Sequence, residues 1–283
     1  MKTLKYIIVL LFTSTSFLSC STDDDDTITP NPVAGLIKIH EISQADHTVE
    51  IYAEKSNLEV GYNEISIRIW DKANNVYISN ADLSWMPMMH MESMGHSAPH
   101  TMLKNNVDNT FYNGHIVFQM AGNETEYWDV TLDYKFNGQP VTLIQKLSVK
   151  QPADGMKNVQ VFTGSDEVRY ILALVNPKDP QVAINDVQAV LYKMEDMMTF
   201  SIVENYGITV DPRMPSMGNH STPNNQDMAY NQASKLYEGK LSFTMTGYWK
   251  INLKLLNANG DILKGENVTD TNPSSTLYFE LEF

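Results

Sequence analysis

The chain has 283 residues, 42% of them hydrophobic and 10% aromatic, which is enough apolar material for two buried cores and excludes a globally disordered chain. Lysine and arginine number 20 against 34 acidic residues, a net charge of −14, so nucleic acid is not an expected partner. The single cysteine excludes an internal disulfide framework and any cysteine-based zinc or iron–sulfur site, while 16 unevenly spread methionines are the compositional anomaly.

Lys2 and Lys5 precede an apolar run from Tyr6 to Phe12, and the stretch closes on Phe17-Leu18-Ser19-Cys20. A short basic region followed by a short apolar one reads as a secretory signal over 1–19, too short to span a bilayer. The quartet ending at Cys20 resembles the lipobox of bacterial lipoproteins. That resemblance implies cleavage before Cys20, lipidation of its thiol and attachment to the outer membrane through the lipid. The acidic run Asp23-Asp24-Asp25-Asp26 resembles a surface-export signal, and it also reads simply as a solvated, self-repelling tether over 20–35 that Pro30 and Pro32 extend. The domains then sit either on the cell surface or facing the periplasm. An anionic protein gains no electrostatic attraction to an anionic envelope, so the lipid must do the anchoring.

From residue 36 onward no segment carries 18 consecutive apolar residues. The pattern is short alternating strands with turn signals between them, among them Val49–Ala53, Ile65–Trp70, His115–Met120, Trp128–Phe136 and Val141–Val149. Helical periodicity is scarce, so the expectation is an all-β fold of the sandwich type.

The two halves also match. Val60-Gly61-Tyr62-Asn63-Glu64-Ile65 pairs with Val182-Ala183-Ile184-Asn185-Asp186-Val187. Met91-Glu92-Ser93-Met94-Gly95-His96 pairs with Met214-Pro215-Ser216-Met217-Gly218-Asn219-His220, given one inserted Asn. Tyr112-Asn113-Gly114 through Met120 pairs with Tyr237-Glu238-Gly239 through Met245, and Trp128-Asp129-Val130 with Trp249-Lys250-Ile251. Four matches in one order imply a tandem duplication, with sandwiches over 36–150 and 157–283 joined near Gln151-Pro152.

The order Gly/Ala-x-Asn, Met-Pro-x-Met-Gly-His, Tyr-x-Gly, Phe-x-Met, Gly-x-Trp resembles YtkA-like domains, which are related to FixH-type proteins. The second copy carries most of it, in Asn185, Met214 to Gly218, His220, Tyr237, Gly239, Phe243, Met245 and Gly247 to Trp249. The resemblance implies immunoglobulin-like sandwiches outside the cytoplasm and a connection with copper handling.

Residues 85–100 hold five methionines and three histidines, and Met102 follows. Thioether sulfur is soft and imidazole borderline, so together they suit copper, Cu(I) more than Cu(II), in a setting that disfavours free thiols. Met91, Met94 and His96 are the leading ligands, with His90, His100 and Met88 as alternates; Met214, Met217 and His220 are the counterparts in the second copy. Two other readings stay open: methionines filling gaps in the core, and methionine loops docking an envelope partner protein. Strand alternation puts Met120, Met245, Trp128 and Trp249 on apolar faces as core residues, and His115 on the opposite, solvated face. His40 and His47 read as surface histidines, and Met194, Met197 and Met198 as hydrophobic packing. No Gly-x-Ser-x-Gly, phosphate-cradling loop or His-Glu-x-x-His is present, so the expectation is a binding protein rather than an enzyme.

Overall fold

The computed structural model describes residues 31–105, 110–153 and 155–283; the signal segment, Cys20 and the acidic run lie outside them. The first copy runs β1 (Ile37–Ser43), β2 (His47–Ala53), β3 (Leu58–Glu59), β4 (Gly61–Asp71), β5 (Val76–Tyr77), β6 (Ser84–His90), β7 (Gly95–Ser97), β8 (Lys104–Asn105), β9 (Tyr112–Phe118), β10 (Tyr127–Phe136), β11 (Gln139–Leu147) and β12 (Val149–Lys150). The second runs β13 (Val159–Thr163), β14 (Arg169–Asn176), β15 (Ile184–Met194), β16 (Phe200–Ile202), β17 (Gly207–Met214), β18 (His220–Ser221), β19 (Gln226–Asn231), β20 (Leu236–Ser242), β21 (Tyr248–Leu256), β22 (Ile262–Lys264) and β23 (Leu277–Glu282), with one 3-10 turn at Pro215–Met217. Among the described residues no helix is long and apolar enough to cross a membrane.

In the first copy one sheet has the order β1-β2-β4-β9-β8 and the facing sheet β11-β10-β6-β7. Strands β2, β4, β9 and β8 thus take the A-B-E-D order of an immunoglobulin sandwich, and β11, β10, β6 and β7 its G-F-C-C′ order, with β1 as an added edge. The second copy repeats this as β14-β15-β20-β19 against β17 and β21, except that β19 also pairs with β17, so its two faces merge into one continuous sheet.

Period-two alternation builds both cores. In β10, Trp128, Val130, Leu132, Tyr134 and Phe136 are all buried, and in β21 Trp249, Ile251, Leu253 and Leu255 are. His47 departs from the surface expectation: it is 3% exposed, stacked 4.2 Å from Phe136, with Nε2 2.5 Å from the Tyr134 hydroxyl and Nδ1 2.7 Å from Asp46. It fills a core position because both ring nitrogens find partners there.

A third cluster joins the copies, and residues 35–283 form one compact unit. Strand β14 is buried on both faces: Tyr170, Leu172 and Leu174 enter the second core, while Ile171, Ala173 and Val175 meet Val190, Tyr192 and Val117 of the joining cluster. Tyr62 packs there too, so the β4–β9 face of the first copy lies on the β14–β15 face of the second. His115 is on that face, half-buried rather than solvated as its alternation suggested. Its Nε2 lies 2.7 Å from the Tyr192 hydroxyl, and its ring lies 4.6 Å from that of Tyr62.

Candidate functional site

The repeated motif residues have matching structural jobs in both copies. Asn63 donates to the carbonyls of Glu59 and Gly61 and accepts the Glu59 amide; Asn185 makes the same three bonds with Gln181 and Ala183. The Trp128 indole donates to the Met120 carbonyl at 2.9 Å and Trp249 to that of Met245 at 3.1 Å, with both methionines half-buried against their cores. Gly114 and Gly239 admit close neighbours: a Cβ would lie 2.7 Å from the Trp85 ring in one case and 2.5 Å from the Gln226 carbonyl in the other. The motif order therefore specifies how the sandwich closes.

The methionine and histidine cluster falls on the β6–β7 hairpin. Met88 pairs with Ser97, Met89 with His96 and His90 with Gly95, and the Met91 amide closes the turn on the Met94 carbonyl at 2.9 Å. Alternation then divides the cluster between two faces. Met89 is fully buried, with Met91 half-buried against the same core; His96 meets Trp128 edge-on at 5.4 Å. Met86, Met88 and His90 take the opposite face, where His90 stacks 4.8 Å from Tyr127. His90 Nε2 is 2.8 Å from Asp129 Oδ2, an ion pair only when the imidazole is protonated, and Nε2 makes no hydrogen bond. His90 and Met88 are thereby separated from Met91 and His96.

His96 and His100 share a second feature. The Nδ1 atom of His96 lies 2.7 Å from the Ser97 carbonyl and that of His100 2.7 Å from the Ala98 carbonyl. A carbonyl can only accept, so Nδ1 carries a proton, and in the neutral form of either ring the lone pair is on Nε2. Met94 is 53% exposed at the turn. Among the described residues no group of three or more His, Cys, Asp or Glu side chains gathers, so an ion bound here would draw on thioethers.

The second copy differs. Met214 pairs with His220 as Met89 pairs with His96, and it is 3% exposed, so its structural counterpart is the core residue Met89 rather than Met91. This corrects the sequence alignment: five residues separate Met214 from His220, six separate Met89 from His96, and the 3-10 turn at Pro215–Met217 absorbs the difference. Met217, 56% exposed, and the exposed His220 remain as two surface donors. The packing expected of Met194, Met197 and Met198 also divides. Met194 packs in the joining cluster, whereas Met197 and Met198 are each 41% exposed at the β15–β16 hairpin tip.

No family profile matches the chain, and no curated protein matches it. Among solved structures it is similar to the Escherichia coli adhesin FdeC, at 13% identity over 76% of this chain and 62% of that one, with a TM-score of 0.25. It is also similar to a DUF4785 family protein of Legionella pneumophila, at 9% identity, 77% and 55% coverage and a TM-score of 0.28. A titin segment aligns at 8% identity, 70% and 87% coverage and a TM-score of 0.19. The chain spans less than two thirds of the first two structures, and the strand order itself defines the class: an all-β protein of two immunoglobulin-like sandwiches.

Proposed function

We propose that this is a lipid-anchored envelope protein, on the cell surface or facing the periplasm, that binds copper, Cu(I) ahead of Cu(II), and sequesters or delivers it. The observation that carries this reading is the shared placement of His96 and His100, each with Nδ1 2.7 Å from a backbone carbonyl, which leaves Nε2 of the neutral ring to offer its lone pair, in the segment that also presents Met91 and Met94. Backbone carbonyls that orient an imidazole are a recurrent support for metal-ligating histidine. Met91, Met94, His96 and His100 would hold the ion, and softness favours Cu(I) at the thioethers. The resemblance to YtkA-like domains and the lipobox-like quartet ending at Cys20 support the copper and anchoring parts of the reading. The second copy, with Met214 in its core, is a structural partner in this proposal.

Anaerobic titration of the full chain with Cu(I), read by competition with a chromophoric chelator, tests it. The variant Met91→Leu/Met94→Leu/His96→Gln/His100→Gln keeps side-chain volume and spares the buried Met89; it is expected to lose one bound equivalent. Equal Cu(I) binding by parent and variant, or none by the parent, overturns the proposal. A second reading, a docking module for an envelope protein, is favoured by the exposure of Met94 at 53% and Met102 at 84%. It would gain if the parent bound no copper.

A further inference from the structure

We propose a second soft-cation site at the seam between the copies, made of thioethers alone: Met86 from the first copy with Met197 and Met198 from the second. Its ligand class is a monovalent d10 ion, Cu(I) or Ag(I), and it does not rest on the hairpin reading above.

The observation behind it is the position of Ser97. This residue is fully buried, yet it touches both copies. Its amide donates to the Met197 carbonyl at 2.8 Å, across the seam. Its hydroxyl donates to the Pro87 carbonyl at 2.8 Å and lies 3.4 Å from the Met86 sulfur. One serine thus fixes the Met86 thioether and the Met197 backbone in a single neighbourhood.

The tip that supplies Met197 and Met198 is built to hold its shape. Asp196 Oδ1 accepts the amides of Met198 at 2.7 Å and Thr199 at 2.8 Å, and the Glu195 amide donates to the Thr199 carbonyl at 3.0 Å. The Asp196 carboxylate also puts negative charge in the same tip, which suits a cation. The exposures are informative. Met86 is 37% exposed and Met197 and Met198 41% each, whereas the fully enclosed core methionines Met89 and Met214 are sealed and Met91, Met120 and Met245 are half-buried. The Met86 thioether and the Met197 backbone meet at one serine, and the flexible, polarizable side chains of Met86, Met197 and the adjoining Met198 would close on an ion there by changing rotamer, without moving the backbone. A soft cation needs no charged ligand, and thioethers carry no titrating proton. Binding here is therefore independent of pH, unlike binding that uses imidazole, where protons compete.

The test is a titration of the full chain, labelled with 13C at the methionine methyl groups, with Ag(I), a redox-inert probe of the same softness, at about pH 7.5 and about pH 5. The methyl resonances of Met86, Met197 and Met198 are expected to shift together, with one equivalent and one midpoint at both pH values. Met102 and Met217 should stay still. Met197→Leu/Met198→Leu, which preserves volume, should abolish the Met86 shift and the pH-independent equivalent, while the fourfold hairpin variant keeps both. A Met86 shift that survives the double substitution overturns the seam site. Shifts confined to Met91 and Met94 also overturn it and leave the hairpin reading standing. A parent that shows no methionine shift overturns both.

Discussion

Acidification should loosen the protein through His115, and the size of the effect follows from where that ring sits. Tyr62 crowds it from β4, Tyr192 hydrogen-bonds it from β15, and the desolvation this imposes pushes its pKa down to about 4 from the ordinary 6.5, with His100 and Lys104 nearby pushing the same way. Glu64 pairs with it across the β4–β9 ladder, but that carboxylate is more than half exposed and takes the Tyr62 hydroxyl. The folded state therefore withholds a proton that the unfolded chain binds. Its contribution is complete above the unfolded value and fades as pH falls through the interval from 6.5 to 4. The full difference amounts to about 3 kcal/mol, of which about 2 kcal/mol is lost between roughly pH 7.5 and pH 5 and the remainder below about pH 5. Chemical denaturation of the parent and His115→Gln at a series of pH values measures it. Glutamine can still meet Tyr192 and does not titrate, so the parent should lose stability over that interval faster than the variant by about that amount. Parallel profiles for the two proteins would refute the argument.

Trp128→Ala and Trp249→Ala should each cost roughly 3–5 kcal/mol in denaturant, with metal absent, because both rings are fully enclosed; a loss below about 1 kcal/mol would contradict their placement. Gly239→Ala should be worse than Gly114→Ala, by about 1 kcal/mol or more, since the new methyl meets a backbone carbonyl in the first case and a side-chain ring in the second; thermal melts in which the order is reversed would count against it. Asn63→Ala should cost about 1–3 kcal/mol and Asn185→Ala less, as both side chains are half-buried but the bonds of the second lie at the exposed surface, where water can replace them; equal losses in denaturant would oppose this. Cys20→Ala should abolish lipid labelling and membrane fractionation, and unchanged labelling would reject the anchor.

Much of the sandwich was readable because its motifs are the places where the chain touches itself. An asparagine two residues after Gly or Ala, a Tyr-x-Gly and a Met ahead of a Trp each mark a bond or a close approach that both copies need. The methionine register was not readable: several thioethers lie within a few residues, any of them could stand for Met214, and only the pairing to His220 singles out Met89. Strand β14 carries a signature of double burial in the unbroken run Tyr170-Ile171-Leu172-Ala173-Leu174-Val175, which a search for alternating strands passes over. The surface it meets gave no such signal, because Tyr62, Glu64 and His115 look like an ordinary wet face. The link from Ser97 to Met197 was hidden for a plainer reason: a backbone bond across 100 positions leaves no trace in side-chain pattern.

The seam also limits how the duplication could grow. It is heterologous: the β4–β9 face of one copy meets the β14 face of the next, so a third copy would need the second to offer its own β15–β20 face in the same way. There, Glu64 and His115 are replaced by Asp186 and Lys240, which are ion-paired with each other. At the other end of the array, the positions of Ala173 and Val190 are held in the first copy by Glu50 and Arg68. Both free ends thus carry charge where the seam carries apolar side chains. Charged residues at these positions oppose the addition of a third copy through the same pair of faces, because each would have to be buried where the existing seam buries an apolar side chain.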